Sequence, residues 1–199
     1  GGINHEYFMN DQKLEVIVSE KDLRVAVTSN LKLGEQCRQV YGYARANRML
    51  GLITRVVKHR SPVLLLRLYK SLVRPHMEYA VSSWSPHYAK DKALLERVQH
   101  RFTRLFEDLR GLEYGERLNA LGLWSLEERR NRADLIEVFK MAHGHTDVRL
   151  EEFFRLAESG STRGHTLKLM KGHCRRDMRL HFFSNRVVNR WNKLPQEVV

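Results

Sequence analysis

Residues 61–87 read SPVLLLRLYKSLVRPHMEYAVSSWSPH, a run that few folds accommodate. Ser61 before Pro62 marks a helix start, because a Ser side chain accepts orphan N–H groups and Pro loses nothing at the first helical position. Leu64, Leu65, Leu68, Leu72 and Val73 recur at helical spacing, with Arg67, Lys70 and Arg74 between them. Pro75 lacks a donor and is expected to push Arg74 out of the helical region and interrupt the helix. Tyr79, Trp84 and Tyr88 follow the expected break as an aromatic patch.

With 199 residues, 42% of them hydrophobic, the chain can bury one sizeable core or two small ones. Its longest apolar runs fall far short of a membrane span, so no membrane partner is expected. The glycine-led start lacks a signal peptide's basic and apolar regions and reads as a cut end. Cys37 and Cys174 allow one disulfide but no framework, which fits a reduced, intracellular protein of nucleus or cytoplasm.

The net charge of +12 is concentrated in two territories. Residues 36–77 hold nine Lys or Arg and no acid, and residues 163–193 hold nine against Asp177 alone. The remainder is mildly acidic. Two basic regions on such a background point to a polyanion-facing side, although charge alone fits solvated helix faces equally well.

Short β-branched runs at 14–18 and 23–27, separated by Ser19-Glu20-Lys21-Asp22, predict a hairpin with its turn at 19–22. A helix is expected over 34–58, burying Cys37, Val40, Tyr41, Ala44, Leu52, Ile53, Val56 and Val57. Asp91 can cap the next helix, whose stripe is Leu94, Leu95, Val98, Phe102, Leu105 and Leu109. Arg97, Arg101 and Arg104 form a basic row on another face, suited to a phosphate backbone or to pairing with Glu96, Glu107 and Asp108. A short helix over 114–121 should end at Gly122. Ser125 and Glu128 form a capping box opening a helix toward Met141, packed through Ala133, Leu135, Ile136, Val138 and Phe139 and stopped by Gly144. Residues 151–156 suggest a short helix, 159–161 a linker, and 166–170 a weak strand. Ser184 can cap a last helix carrying Val187, Val188 and Trp191.

Metal chemistry has little to stand on. His143-Gly144-His145 and the His173-Cys174 pair are the clusters that look like ligands, and structural zinc usually needs four ligands in paired spacing; the no-metal reading is preferred. Ser82, Ser83 and Ser85 lie near His76 and His87 without a nucleophile elbow or an oriented acid. Tyr79, Trp84 and Tyr88 can stack on bases, but such residues more often anchor a core. Arg74-Pro75-His76 and Thr162-Arg163-Gly164-His165 each place Arg and His near a bend, where the Arg fork can grip phosphate. The plainer reading makes Arg74 a cap on helix carbonyls and Arg163 part of a loop.

The segments LEVIVSEKDLRVAVTSNLK, ANRMLGLI, LYKSLVRPHMEYAVSSWSPHYAKD, LERVQHRFTRL, YGERLNALGLWSLEERRNRADLIEVFK, TRGHTLKL and FFSNRVVNRWNKLP, in this order, resemble the C-terminal part of non-LTR, LINE-like retrotransposon reverse transcriptases of the jockey and chicken-repeat type. In that family the polymerase carboxylates, including a Tyr-x-Asp-Asp turn, lie upstream and hold Mg2+. No Asp-Asp pair occurs in this chain. Two-metal phosphoryl transfer needs such carboxylates, so the resemblance implies that this chain has no cofactor and no polymerase activity of its own.

The resemblance also implies a mainly α-helical protein with a palm-edge-like hairpin segment at 1–33, a thumb-like helical domain at 34–158 and a smaller basic α+β subdomain at 159–199. It would bind RNA or RNA–DNA duplex, with Lys58, Arg60, Arg67, Lys70, Arg74, Arg97, Arg101, Arg104, Arg163, Arg175, Arg176 and Arg179 as grip candidates. Packing against a palm domain or a protein partner is a further expectation. One departure from the family is Lys21-Asp22-Leu23-Arg24-Val25, where Arg24 replaces a usual Gly and resists the φ > 0 that Gly admits. That departure favours the alternatives, an exapted helical module that binds a protein through the Tyr79 and Trp84 patch, or a relic.

Overall fold

The structure is a computed structural model that describes residues 6–42, 45–58, 61–157, 164–175 and 177–199. It is mainly α-helical, with small antiparallel hairpins at the N-terminal end. The first pairs β1 (Phe8–Met9) with β2 (Gln12–Lys13) across Asn10 and Asp11, and the sequence reading did not anticipate it. The second pairs β3 (Ser19–Asp22) with β4 (Val25–Thr28). Its turn is Leu23-Arg24, at φ +43 and +69, and the residues expected to turn form a strand instead. A two-residue turn with both φ values positive matches the twist of the flanking strands. Arg24, where the resembled family carries Gly, therefore occupies the left-handed region.

Helix α1 (Gly34–Gly42) and helix α2 (Arg45–Val56) follow. In α2 the buried residues are Ala46, Leu50 and Ile53, whereas Leu52 and Val56 are exposed. Of the expected stripe Cys37 and Ile53 are buried and Val57 packs partly buried against the core, while Leu52 and Val56 fall off the i, i+4, i+7 face that meets it; Val40, Tyr41 and Ala44 lie outside the described side chains.

Ser61 and Pro62 open helix α3 (Pro62–Leu68), although the Ser61 hydroxyl makes no cap bond. From Tyr69 to Val73 the ladder widens into a π turn, with the Arg74 N–H donating to the Tyr69 carbonyl at 2.9 Å. Arg74 stays helical at φ −58 and ψ −40, and Pro75 opens helix α4 (Pro75–Glu78). Pro75 thus leaves the helical path intact, contrary to expectation. A proline ring clashes with the carbonyl four residues back in a regular α-ladder, and the wider turn moves that carbonyl aside. The buried stripe is Leu65, Tyr69, Val73 and Met77, at intervals of four. The helical path ends at Tyr79, which is extended, and Ala80, at φ +52.

Helix α5 (Ala89–Thr103) packs on α1, with Asp91 buried in its first turn, and the Tyr69 and Phe102 rings stack 4.0 Å apart. Helix α6 (Tyr114–Ala120) ends before Gly122, at φ +58. Helix α7 (Leu126–Ala142) begins with the expected capping box, the Ser125 Oγ accepting from the Glu128 N–H at 3.2 Å and the Glu128 carboxylate from the Ser125 N–H at 3.0 Å. Gly144, at φ +67, lets the His145 N–H close back on the Lys140 carbonyl at 2.8 Å, the pattern of a Schellman stop.

Two cores result. The first gathers Cys37, Leu50, Leu65, Tyr69, Trp84, Val98, Phe102 and Leu126 with their neighbours. The second joins Val138 and Met141 of α7, then Leu150 and Phe154, to Phe183, Val187, Val188 and Trp191. Helix α7 contributes to both cores, through Leu126 to the first and through Val138 and Met141 to the second. The expected linker at 159–161 lies outside the described residues. The expected strand at 166–170 is reduced to a single bridge between Leu156 and Leu169, and the expected helix at 151–156 to one 3-10 turn, Leu150–Glu152. A short helix α8 (Asp177–Leu180) comes first, the expected last helix is split into α9 (Phe183–Arg186) and α10 (Val188–Trp191), and Phe182, not Ser184, precedes α9.

Candidate nucleic-acid interface

The arginines fall into two groups, and only the geometry separates them. Arg130 on α7 is 4% exposed, with its guanidinium 4.1 Å above the Trp84 ring and donating to the carbonyls of Met77 and Trp84. Burial lowers its pKa to about 10, which leaves it charged at neutral pH. Arg129 makes a two-pronged bond to the Glu78 carboxylate, and this bond raises its pKa. Arg186 on α9 holds the buried Asp134 carboxylate at 2.8 and 2.9 Å and also donates to the carbonyls of Val81 and Ser82. Together these three fasten residues 77–84, holding the Glu78 carboxylate and the carbonyls of Met77, Val81, Ser82 and Trp84. Arg117 is likewise buried, donating to Thr103 Oγ1 at 3.1 Å and to the Leu112 carbonyl at 2.7 Å.

The second group faces outward. Arg97 and Arg101 on α5 and Arg104 at its C-terminal cap are all exposed, and the buried residues of α5, among them Leu95, Val98, Gln99 and Phe102, lie on its opposite side. No ion pair joins the three to a carboxylate among the described residues. Glu96 turns inward to Tyr114, Gln99 and the Leu126 N–H, while Glu107 approaches Arg110 at 3.5 Å. At 1.5 Å per residue the row extends about 10 Å along the helix. It presents three guanidinium forks with no acceptor among the described residues.

Arg67 and Lys70 are exposed on α3 and the π turn, and Lys58 is exposed just beyond α2. Arg74 is half-buried and lies 3.6 Å from Glu78, which Arg129 also holds, so its charge is partly neutralised. Arg175 and Arg179 are exposed at one mouth of a cavity beside β4. Arg60, Arg163 and Arg176 lie outside the described residues.

The aromatic patch does not hold together as a surface. Trp84 is 1% exposed, its ring covered by Arg130 and its N–H donating to the Tyr79 carbonyl at 2.8 Å. It is a core residue whose polar edge is satisfied, and no base can reach it. Tyr79 is exposed but its hydroxyl donates to the Leu23 carbonyl at 3.0 Å, tying the hairpin turn to the body. Tyr88 is exposed, with the His87 ring 3.9 Å away and Lys90 over its face.

Sequence reasoning missed Arg130 and Arg186 as internal fasteners, since charge counting assigns every arginine to the surface. It also missed Lys32 and Phe182, which meet Arg175 and Arg179 at the cavity although they are far apart in the chain. Cys37 and Cys174 are both free, and burial pushes the Cys37 thiol up to about 12. Among the described residues no group of three or more His, Cys, Asp or Glu could hold a metal ion, and no helix is long and apolar enough to cross a membrane. Comparison with protein-family models, curated proteins and solved structures finds no match to the chain.

Proposed function

We propose that this chain is the non-catalytic, thumb-like portion of a LINE-type reverse transcriptase, and that it holds RNA or RNA–DNA duplex through backbone phosphates. The observation that carries this reading is the row Arg97, Arg101 and Arg104, exposed on one face of α5 without carboxylate partners while other arginines are consumed inside. Guanidinium forks suit phosphate oxygens, and a row along a helix follows a strand. The collinear sequence resemblance supports the same reading. Arg67 and Lys70 would extend the basic surface.

The test is fluorescence anisotropy with a labelled RNA–DNA duplex over a salt series, folding being checked by circular dichroism. Replacing Arg97, Arg101 and Arg104 with Gln is expected to weaken binding on every duplex sequence and to flatten the log–log salt slope by about one per arginine removed. An unchanged slope in a folded variant eliminates the row as the grip.

A second reading, an interaction module that docks a protein, is favoured by the exposed Val63, Leu64 and Leu72 on α3 and the π turn. It would use those side chains and not Trp84. A folded chain that ignores duplex at low salt supports this reading over the first.

A further inference from the structure

Strand β4, the loop after it, and His173, Arg175, Arg179, His181 and Phe182 border a cavity of about 850 Å3, a size typical of small-ligand sites. Its lining combines two chemistries. Val25, Val27 and Leu31 contribute apolar surface, while Lys32, Arg175 and Arg179 contribute cations. Among the described side chains no Asp or Glu lines it. Arg186 also reaches the cavity, but its fork is occupied by Asp134 and the carbonyls of Val81 and Ser82. No hydrogen bond or ion pair to a described residue neutralises the side chains of Lys32, Arg175 or Arg179, so three cations border a low-dielectric recess and focus a positive potential there. Phe182, 56% exposed, lines the same cavity.

The occupant that satisfies both chemistries carries negative charge next to a flat apolar body. Inorganic phosphate would leave the Val and Phe surfaces dry and unused, and an aliphatic acid would leave an exposed aromatic face without a partner. A nucleotide has both parts, a phosphate for the arginines and a base for the ring.

We propose that this cavity binds single-stranded nucleic acid, with a base stacked on Phe182 and the adjoining phosphate held by Arg175 and Arg179. This rests on the nucleic-acid reading above but uses residues remote in sequence from the α5 row. A duplex would be held by α5 and a single-stranded tail by the cavity. The stacking contact gives tolerance of base identity, and the phosphate contact gives salt dependence.

The experiment measures anisotropy of a labelled tetra-adenylate RNA against the whole chain, with tripolyphosphate and an acidic, phenylalanine-containing peptide as competitors. Arg175→Gln with Arg179→Gln is expected to weaken tetranucleotide binding by about tenfold or more, and Phe182→Ala by about tenfold. Phe182→Tyr, which keeps the ring, should restore the latter. Tripolyphosphate should compete weakly and be indifferent to Phe182→Ala. Duplex binding should be lowered by the Arg97, Arg101 and Arg104 substitutions and left within about twofold by those in the cavity. Tetranucleotide affinity unmoved by both cavity variants overturns the proposal, and so does an acidic peptide that displaces the RNA at equal or lower concentration. Loss of tetranucleotide binding in the cavity variants, with duplex binding unaffected by the α5 substitutions, would support the cavity and reject the row.

Discussion

Arg24 sits at φ +69 in the turn between β3 and β4, where an L residue other than Gly, Asn or Asp is held against its preference. Removing the Cβ relieves that strain but adds freedom to the unfolded chain, so the two effects partly offset. Arg24→Gly is expected to stabilise the protein by about 0.5–1 kcal/mol, read as a higher urea midpoint; an unchanged or lower midpoint would show that the turn is unstrained. Because the Leu23 carbonyl accepts from Tyr79, the gain is transmitted from the hairpin to the helical body. Glu96 is the second residue whose setting makes a measurable difference. Burial raises its pKa above 4.5, despite the hydrogen bonds from Tyr114 and the Leu126 N–H that act in the other direction. The native state therefore holds the proton more tightly than the unfolded chain, and stability declines as pH rises from about 4.5 through the raised native value. Glu96→Gln should remove that decline. Urea midpoints compared at pH 4 and pH 7 check it, and a variant with the wild-type slope would assign the pH dependence to another group.

At the scale of elements, much of the helical layout was legible in the sequence, because caps and stops are local chemistry. Ser125 with Glu128 placed the start of α7, and Gly122 and Gly144 marked the ends of α6 and α7. What was not legible depends on partners distant in the chain. The residues Ser19 to Asp22 have turn composition, yet they pair with β4 because Ala26 is buried and its N–H donates to Gln36 Oε1 at 2.7 Å, which fixes the register from outside the hairpin. Pro75 reads as a breaker on any local rule, and the π turn that absorbs it is selected by the stripe from Leu65 to Met77, which has to meet Phe102 and Trp84. The candidate site was legible only in part for the same reason. The spacing of Arg97, Arg101 and Arg104 reports one helix face, whereas the cavity assembles from β4 and from Arg175, Arg179 and Phe182, which no periodicity connects.

Across the whole molecule the two cores meet through α7 and through Arg186. The Asp134 carboxylate is buried, so losing its guanidinium partner leaves an uncompensated charge. Arg186→Gln is expected to cost about 3 kcal/mol, while the double replacement Arg186→Met with Asp134→Leu should cost less than that single change, because it removes the charge along with its partner. Calorimetry on both variants decides the matter; a double variant as damaged as the single one would mean that the carbonyl contacts at Val81 and Ser82, and not the ion pair, carry the attachment. Arg186 and Val81 stand 105 positions apart. Closing so long a loop is entropically expensive, and contacts of that range form after the local ones that precede them. The carboxyl-terminal helices accordingly act as a latch in time: as the chain leaves the ribosome, the first core can complete its helices while the carbonyls at 81 and 82 remain hydrated, and the molecule closes only when Arg186 arrives to replace that water.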